Sequence, residues 1–292
     1  MSPNLSASPV GPHGILLIDK PQGITSHDAV DRVRRALHTR KVGHAGTLDP
    51  MATGLLLMGV GHATRSLRFL GDLAKTYEGT MRLGVETTTL DAEGDVLHEH
   101  EGPVDATDEE LRAAMAALVG ETTQVPPAYS AVKVGGRKLY EAARKGEILE
   151  AQGRPIHVDR FDLQARRGPD ADFRVVCGGG TYVRVLAADV GAALGCGAHL
   201  TRLRRTRIGS FDVAAARPPE DPGDPLPIER AVAHLPRLVL EPQEAIAAGH
   251  GRILAPAGLD GPYGVYSPEG RLIGIYQDGS AKATPLVIFE RG

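Results

Sequence analysis

Residues 41–54 constrain this chain more than any other stretch of its sequence. They contain three glycines, one proline and a single carboxylate, Asp49, and follow neither the period of a helix nor the alternation of a strand. Pro50 biases the backbone of Asp49 toward an extended conformation. The pattern predicts a shaped loop that aims one carboxylate, although an Asp-Pro pair among glycines is also typical of an ordinary turn.

The length and composition favour a globular chain of about two domains. It has 292 residues, of which 42% are hydrophobic, enough to build a core. Residues 1–12 are polar and predict a disordered tail, and no apolar run approaches a membrane span, so we expect a cytoplasmic protein without membrane contact. Cys177 and Cys196 form no C-x-x-C pair, and His98 and His100 have no third ligand nearby. We therefore expect buried thiols and no metal site.

The net charge of −3 conceals three clusters of basic residues. They are Arg32, Arg34, Arg35, Arg40 and Lys41; Lys133, Arg137, Lys138, Arg144 and Lys145; and Arg202, Arg204, Arg205 and Arg207. One such cluster is usually a solvated face, but three of them beside the loop and the motifs described below favour a groove for a polyanion such as RNA.

Periodicity predicts an α+β fold. Apolar runs indicate strands over residues 14–19, 55–60, 76–84 and 173–177. Capping boxes at Thr25 and Thr107 predict helices that run to about residues 38 and 120. Five prolines within residues 217–227 predict a domain boundary, and short apolar runs over residues 238–292 predict a small β-rich domain.

Five short blocks follow one another between residues 14 and 205. They are GILLIDKPQGITS from Gly14, GHAGTLDPMATG from Gly43, KTY from Lys75, GTYVR from Gly180 and LRR from Leu203. In identity, order and approximate spacing these blocks resemble the bacterial TruB family of pseudouridine synthases. The resemblance implies a catalytic domain over residues 13–225 with a mixed, mainly antiparallel sheet flanked by helices. It also implies a thumb-like insertion at about residues 122–154 and a PUA-like domain over residues 238–292.

The same resemblance implies an isomerase that converts uridine to pseudouridine in the T loop of tRNA, conventionally at position 55, and that also helps tRNA to fold. The reaction detaches uracil from C1′ of the ribose and rejoins it through C5, so its atoms and oxidation state are conserved. We therefore expect no cofactor. The expected partner is tRNA, bound at its T arm and elbow by a monomer without an obligate protein partner.

The resemblance assigns three catalytic residues. Asp49 is expected to act on a flipped-out uridine, either as a nucleophile toward the sugar or base or as a base that removes a sugar proton. Arg184 is expected to be the ion partner of Asp49 and to favour its ionised form. Tyr77 is expected to stack on the flipped uracil.

Five further residues are expected to bind the RNA by the same resemblance. His44 would fill the space left by the flipped base, and Leu203 would wall the uracil pocket. Lys20 and Arg65 would meet phosphates, and Tyr182 belongs to this group although packing is its alternative role.

The chain departs from the family pattern at two positions. Ala45 stands where threonine is frequent, and Thr88 stands where an acid is frequent. The hydrogen bonds around the RNA are therefore not carried over from the family.

Two other functions fit parts of the sequence. A protein that grips the tRNA elbow without chemistry would need the basic clusters and the C-terminal domain but not Asp49. A synthase acting on a different RNA would share the catalytic motifs.

Overall fold

The structure, a computed structural model, describes residues 13–289 except residues 131, 144, 148 and 150. The predicted tail and Arg144 of the second basic cluster lie outside the described residues. The strands are β1 (Gly14–Lys20), β2 (Val42–Ala45), β3 (Thr53–Val60), β4 (Lys75–Leu83), β5 (Val85–Thr87), β6 (Val96–Glu99), β7 (Gly120–Gln124), β8 (Lys133–Val134), β9 (Arg137–Lys138), β10 (Arg154–Arg167), β11 (Asp170–Cys177), β12 (Ala198–Ile208), β13 (Phe211–Asp212), β14 (Arg237–Val239), β15 (Pro262–Tyr266), β16 (Leu272–Asp278) and β17 (Ala283–Ile288). The helices are α1 (Ser26–Ala36), α2 (Asp108–Ala116), α3 (Leu139–Ala143), α4 (Val183–Ala193) and α5 (Pro242–Gly249), with 3-10 helices at Gly61–Leu70, Val213–Ala215 and Ile228–Val232.

One large sheet organises most of the chain. Its strand order is β1-β3-β12-β4-β11-β10-β7, with β2 also paired to β3 and β13 to β12. The pairing of β3 with β12 is parallel, and the other pairings are antiparallel. The predicted α+β class with a mixed, mainly antiparallel sheet is confirmed.

The helices begin where their caps predict but end earlier than expected. Thr25 and Thr107 both form capping boxes, each closed by an acidic residue three positions later. The first helix ends at Ala36, because His38 adopts a left-handed φ of 51°. The second ends at Ala116 rather than near residue 120, because residues 120–124 pair with β10 as a strand.

The loop that carries Asp49 is attached to β3 at both ends. The end of β2 pairs with β3, with Ala45 opposite Leu57, and the loop re-enters β3 at Thr53. The β3 run is buried on both faces, against α1 on one side and the 3-10 helix Gly61–Leu70 on the other. This burial explains its continuous apolar sequence. The loop therefore leads into a strand that is buried on both faces.

The C-terminal residues form a separate four-stranded sheet in the order β14-β15-β16-β17. One face packs with α5 around Tyr263 and Tyr276. The other face brings Tyr266, Leu272 and Ile275 into the core that β1 and β3 share. The predicted β-rich character of this region is thus present.

The segment between β7 and β10, residues 125–153, is called the insertion below. Its described part holds the β8–β9 hairpin and the short helix α3. Leu139 and Ala142 are buried, whereas the turn glycines of the hairpin are exposed.

Three further sequence expectations can be compared with the fold. Cys177 and Cys196 are buried free thiols, as predicted. Among the described residues, no side chains are grouped in a way that could hold a metal ion. Every helix within this described part is too short or too polar to cross a membrane.

Candidate active site

A cavity of about 300 Å³ opens beside Asp49. This volume is at the low end of the roughly 300–1,000 Å³ typical of small-molecule sites. Among its lining residues are Asp49, Lys75, Tyr77, Arg154, Tyr182, Arg184, Leu203 and Arg205. Five of the predicted site residues therefore meet in one cavity, whereas Lys20, His44 and Arg65 do not line it.

The Asp49 loop is clamped by the start of α1. The Ser26 hydroxyl donates to the Leu48 carbonyl over 3.1 Å and accepts from the Leu48 N–H over 2.8 Å. The Gly23 N–H donates to the Pro50 carbonyl over 2.9 Å. These bonds hold the backbone of Leu48 and of Pro50, so the backbone of Asp49 is fixed on both sides.

Arg184 binds the Asp49 carboxylate from inside the protein. Its side chain is 5% exposed, and its Nε lies 3.5 Å from Oδ2 of Asp49, whose side chain is 41% exposed. Its Nη1 donates to the Thr89 carbonyl over 3.0 Å, and its Nη2 donates to the Tyr129 carbonyl. The predicted ion pair is present, and the same guanidinium joins the loop to two other segments.

Asp91 is a second carboxylate that the sequence analysis did not single out. It is 4% exposed, and its Oδ2 lies 3.6 Å from Nη1 of Arg184. Its other oxygen accepts from the Thr89 hydroxyl and the Glu93 N–H. Only Thr88 was singled out from the sequence in this segment. The three threonines that closely precede Asp91 were the signal that could have indicated a hydrogen-bonded carboxylate.

The surroundings of Asp49 act on its pKa in opposite directions. Loss of water contact raises the pKa of this carboxyl above its ordinary value. The Arg184 guanidinium lowers the pKa and Asp91 raises it further, while Lys20 also lowers it. Arg184 is therefore the main group that favours the ionised carboxylate.

Tyr77 forms the aromatic wall of the cavity. It is buried on β4, directly opposite Arg205 on β12, whose guanidinium carbon lies 6.0 Å from the ring centroid. Burial raises the pKa of the Tyr77 phenol, and the charge of Arg205 opposes that rise. Tyr77 therefore lines the same cavity as Asp49.

Arg205, from the third basic cluster, is buried and lines the cavity. Its Nε donates to the Leu55 carbonyl over 2.7 Å and its Nη2 to the Gly46 carbonyl over 3.1 Å. Its neighbour Arg204 makes two bonds to the Asp19 carboxylate, at 2.9 and 2.8 Å. Two members of the third cluster therefore stabilise the fold around the cavity.

Lys20 is a buried lysine that does not line the cavity. Lys20 donates to the carbonyls of Pro21, Ile24 and Pro50 over 3.0, 2.7 and 3.4 Å. Burial lowers the pKa of Lys20 to about 8, although Asp49 opposes the shift. A phosphate contact, which remains a prediction, would require this ammonium to leave those carbonyls.

Lys75 lines the cavity itself. Its ammonium donates to the Gly71 and Leu73 carbonyls over 2.6 and 2.8 Å, and burial together with Arg205 lowers its pKa to about 8. Its block, KTY, was recognised in the sequence, but only Tyr77 was singled out from it.

His44 and Arg65 lie outside the cavity wall. His44 stands on β2, where burial and the nearby Arg205 charge lower the pKa of its ring and favour the neutral form. Neutral imidazole suits the predicted stacking role. Arg65 donates to the Ile288 carbonyl over 2.8 Å, so it joins the 3-10 helix Gly61–Leu70 to β17 of the C-terminal sheet. Its phosphate contact remains a prediction.

Tyr182 is the N-cap residue of α4. Its ring lies 4.9 Å from the guanidinium carbon of Arg154 and 5.8 Å from that of Arg184. Leu203, on β12, completes the apolar wall. The cavity therefore combines one carboxylate, two aromatic rings, an apolar wall and several cations.

Comparison with family models covers most of the chain. A model described as TruB family pseudouridylate synthase (N terminal domain) matches residues 34–183. A model described as tRNA pseudouridylate synthase B C-terminal domain matches residues 184–220, and one described as tRNA Pseudouridine synthase II, C terminal, matches residues 235–290.

Curated relatives match along nearly their whole length. The tRNA pseudouridine synthase B of Mycobacterium sp. (strain KMS) is 48% identical over 284 residues, which cover 94% of this chain and 95% of the relative. The tRNA pseudouridine synthase B of Thermobifida fusca (strain YX) is 45% identical over 289 residues, with coverage of 94% and 98%.

A solved structure described as the archaeal box H/ACA sRNP Nop10-Cbf5 complex matches with a TM-score of 0.72 and 26% identity, covering 95% of this chain and 86% of the other. The structure of a Cbf5-Nop10-Gar1 complex matches with the same TM-score and identity, covering 95% and 85%. With the five sequence blocks, the mixed sheet and the Asp49–Arg184 pair, these matches establish that the chain belongs to the TruB family of pseudouridine synthases.

Proposed function

We propose that this protein converts uridine to pseudouridine in the T loop of tRNA, at the position conventionally numbered 55, with Asp49 as the catalytic carboxylate. The tRNA substrate is supported by the curated relatives, which are tRNA pseudouridine synthases B. The T-loop position is supported by the resemblance of the five blocks to the bacterial members of the family.

The observation that carries the proposal is the placement of one carboxylate at the wall of a confined cavity, paired with a buried cation. Arg184 favours the ionised form of Asp49, because it lies 3.5 Å away and opposes the rise in the Asp49 pKa caused by lost water contact. An ionised carboxylate is the form needed either for attack on the nucleotide or for removal of a sugar proton.

The chemistry conserves every atom of the nucleoside. The bond between N1 and C1′ breaks, a bond between C5 and C1′ forms, C5 loses its proton and N1 gains one. Neither an oxidant nor a nucleotide is consumed, so the proposal includes no cofactor. The protein must hold the detached uracil while it turns, and the wall formed by Tyr77 and Leu203 provides stacking and apolar contact for this step.

The target base must leave the RNA stack to reach Asp49. His44 lies on the strand that leads into the Asp49 loop, and in this proposal its ring, whose pKa burial lowers, stacks in the gap that remains. The exposed cations of the insertion, such as Lys133, are suited to the RNA backbone. In this proposal the insertion binds RNA and the Asp49 loop performs the chemistry.

The test uses a tRNA transcript labelled with tritium at C5 of its uracils. Forming the new bond at C5 must release the label, so the wild-type chain is expected to release tritium without added metal or nucleotide. Asp49→Asn keeps the shape of the side chain but removes its charge and nucleophile. We expect it to abolish release while tRNA binding in a filter assay stays within about threefold, since phosphate contacts dominate RNA affinity.

A second transcript with cytidine at position 55 tests the target. Loss of release from this transcript supports the T-loop assignment, whereas continued release points to another uridine or another RNA. Tight binding without any release by the wild-type chain would favour a protein that grips tRNA without chemistry.

A further inference from the structure

Gln124 makes a pair of hydrogen bonds to the backbone of Tyr182. Its Nε2 donates to the Tyr182 carbonyl over 3.1 Å, and the Tyr182 N–H donates to its Oε1 over 2.7 Å. Gln124 is buried, with only 3% of its surface exposed. An amide is the side-chain group that offers a donor and an acceptor side by side, so one residue satisfies both backbone groups.

This amide acts on the first turn of α4. Tyr182 is the N-cap residue of that helix, and its own side chain makes no capping bond. Its carbonyl also accepts from the Val185 N–H over 3.1 Å. The Gln124 amide therefore fixes the point at which the helix starts. Arg184 is only two residues further on, so its position follows that of Tyr182.

Gln124 is also the last residue of β7, directly before the insertion. A second contact joins the insertion to the same helix, because Nη2 of Arg184 donates to the Tyr129 carbonyl. The insertion therefore meets the Arg184 segment at its root through Gln124 and further along through Tyr129. Arg184 in turn contacts Asp49 at 3.5 Å and Asp91 at 3.6 Å.

We propose that Gln124 is a positioning residue that couples the insertion to the Arg184–Asp49 pair. This proposal rests on the proposed function. The Gln124 amide ties the end of β7, where the insertion begins, to the start of α4, and so keeps Arg184 in contact with Asp49. The contacts of Arg184 with Asp49 and Asp91 are long, so a small displacement of α4 would separate the guanidinium from both carboxylates.

The experiment replaces Gln124 by methionine, which has a similar length and shape but cannot form the paired bonds. Single-turnover tritium release is measured at saturating enzyme, and tRNA affinity is measured by filter binding. Gln124→Met is expected to slow release by roughly 10–100-fold, the range that small misplacements of catalytic groups produce. Binding is expected to change less than about threefold, since Gln124 is buried away from the phosphates.

Thr123→Val, at an exposed position on the same strand, is the matched control and should match the wild type.

A double-mutant cycle separates positioning from a general loss of structure. Arg184→Lys keeps a cation but not the fork of donors, and leaves a lower rate that can be measured. If Gln124 acts through Arg184, adding Gln124→Met to this variant should slow release by less than about threefold. The full loss in both backgrounds, or an unchanged rate for Gln124→Met alone, would overturn the coupling.

A second variant guards against misfolding. Gln124→Glu can make both bonds to Tyr182 when its carboxyl is protonated, but sets a charged oxygen against the Tyr182 carbonyl when it is ionised. Its release rate relative to the wild type at each pH should therefore be high at low pH and fall as pH rises, and a ratio that does not change with pH would overturn the proposal. Absence of release by the wild-type chain would instead overturn the proposed function, and the coupling with it.

Discussion

The Asp49 loop and the insertion line the same cavity but are held in different ways. The loop is anchored by buried groups: Ser26 binds Leu48, Arg205 binds Gly46, and Met51 packs into the main core. The described insertion consists of a hairpin with two residues per strand and a five-residue helix. Its secondary structure is thus short and local, whereas the loop is part of the interior.

In the proposed function, this difference suits the two regions to different tasks. A catalytic carboxylate gains from fixed surroundings, because preorganised charges need not rearrange when the reaction occurs. A segment that grips RNA gains from low local stability, because it can adapt to the substrate surface. Arg184, on α4, joins the two regions, since it contacts Asp49 on one side and the Tyr129 carbonyl on the other.

The largest effect is expected where the two regions meet. Arg184→Met should abolish tritium release, because Asp49 loses the cation that favours its ionised form. It should also lower the free energy of unfolding by about 3 kcal/mol, the cost typical of leaving a buried carboxylate unpaired. The structure assigns most of this cost to Asp91, which is 4% exposed, rather than to Asp49, which is 41% exposed. Urea unfolding and single-turnover release measure the two losses.

The double variant Arg184→Met with Asp91→Asn separates those losses. Removing the Asp91 charge should restore much of the stability while tritium release stays absent. If stability does not recover, the cost lies instead in the lost hydrogen bonds to the Thr89 and Tyr129 carbonyls.

The sequence predicted the rigid region better than the contacts between regions. Asp49, Arg184, Tyr77 and Leu203 could be named because they lie in short blocks, and the strands and capped helices follow from local patterns. Asp91 and Gln124 lie in no such block. Their roles depend on contacts 93 and 58 residues away along the chain, with Arg184 and Tyr182 respectively, which periodicity does not reveal.

The burial of Arg205 was not predicted for a related reason. Arg205 belongs to a basic run that, with two others, favours a groove for a polyanion, and the structure shows that it lines the cavity and binds the Leu55 and Gly46 carbonyls. Only the tertiary structure supplies the carbonyls that make such a buried arginine stable.

Substitutions of Tyr77 test the rigid side of the comparison with an intermediate effect. Tyr77→Phe should bind tRNA normally and cleave the glycosidic bond, but stall before tritium release by roughly 10²–10⁴-fold if the hydroxyl accepts the C5 proton. Burial raises the pKa of this phenol, so its action as a base depends on the opposing charge of Arg205. Tyr77→Leu should also lose roughly 1–3 kcal/mol of stacking on the base. Release by Tyr77→Phe at close to the wild-type rate would leave the ring as a stacking platform only.

The smallest effect is expected on the adaptable side, at the tip of the insertion. Lys133 is exposed on the β8–β9 hairpin, whereas Arg137 and Lys138 beside it form ion pairs with Glu147 and Glu141. If Lys133 meets one phosphate, Lys133→Gln should weaken tRNA binding only a few-fold and reduce the slope of log affinity against log salt by about 1. The single-turnover rate at saturating enzyme should not change, because all of the tRNA is bound under that condition and the loss lies in affinity.

Arg112→Gln, an equal loss of charge at an exposed position on α2, is the control and should leave the slope as in the wild type. An equal change in both variants would mean that RNA responds to the net charge of the protein rather than to the insertion. A fall in the single-turnover rate of Lys133→Gln would mean that the hairpin also acts on the chemical step.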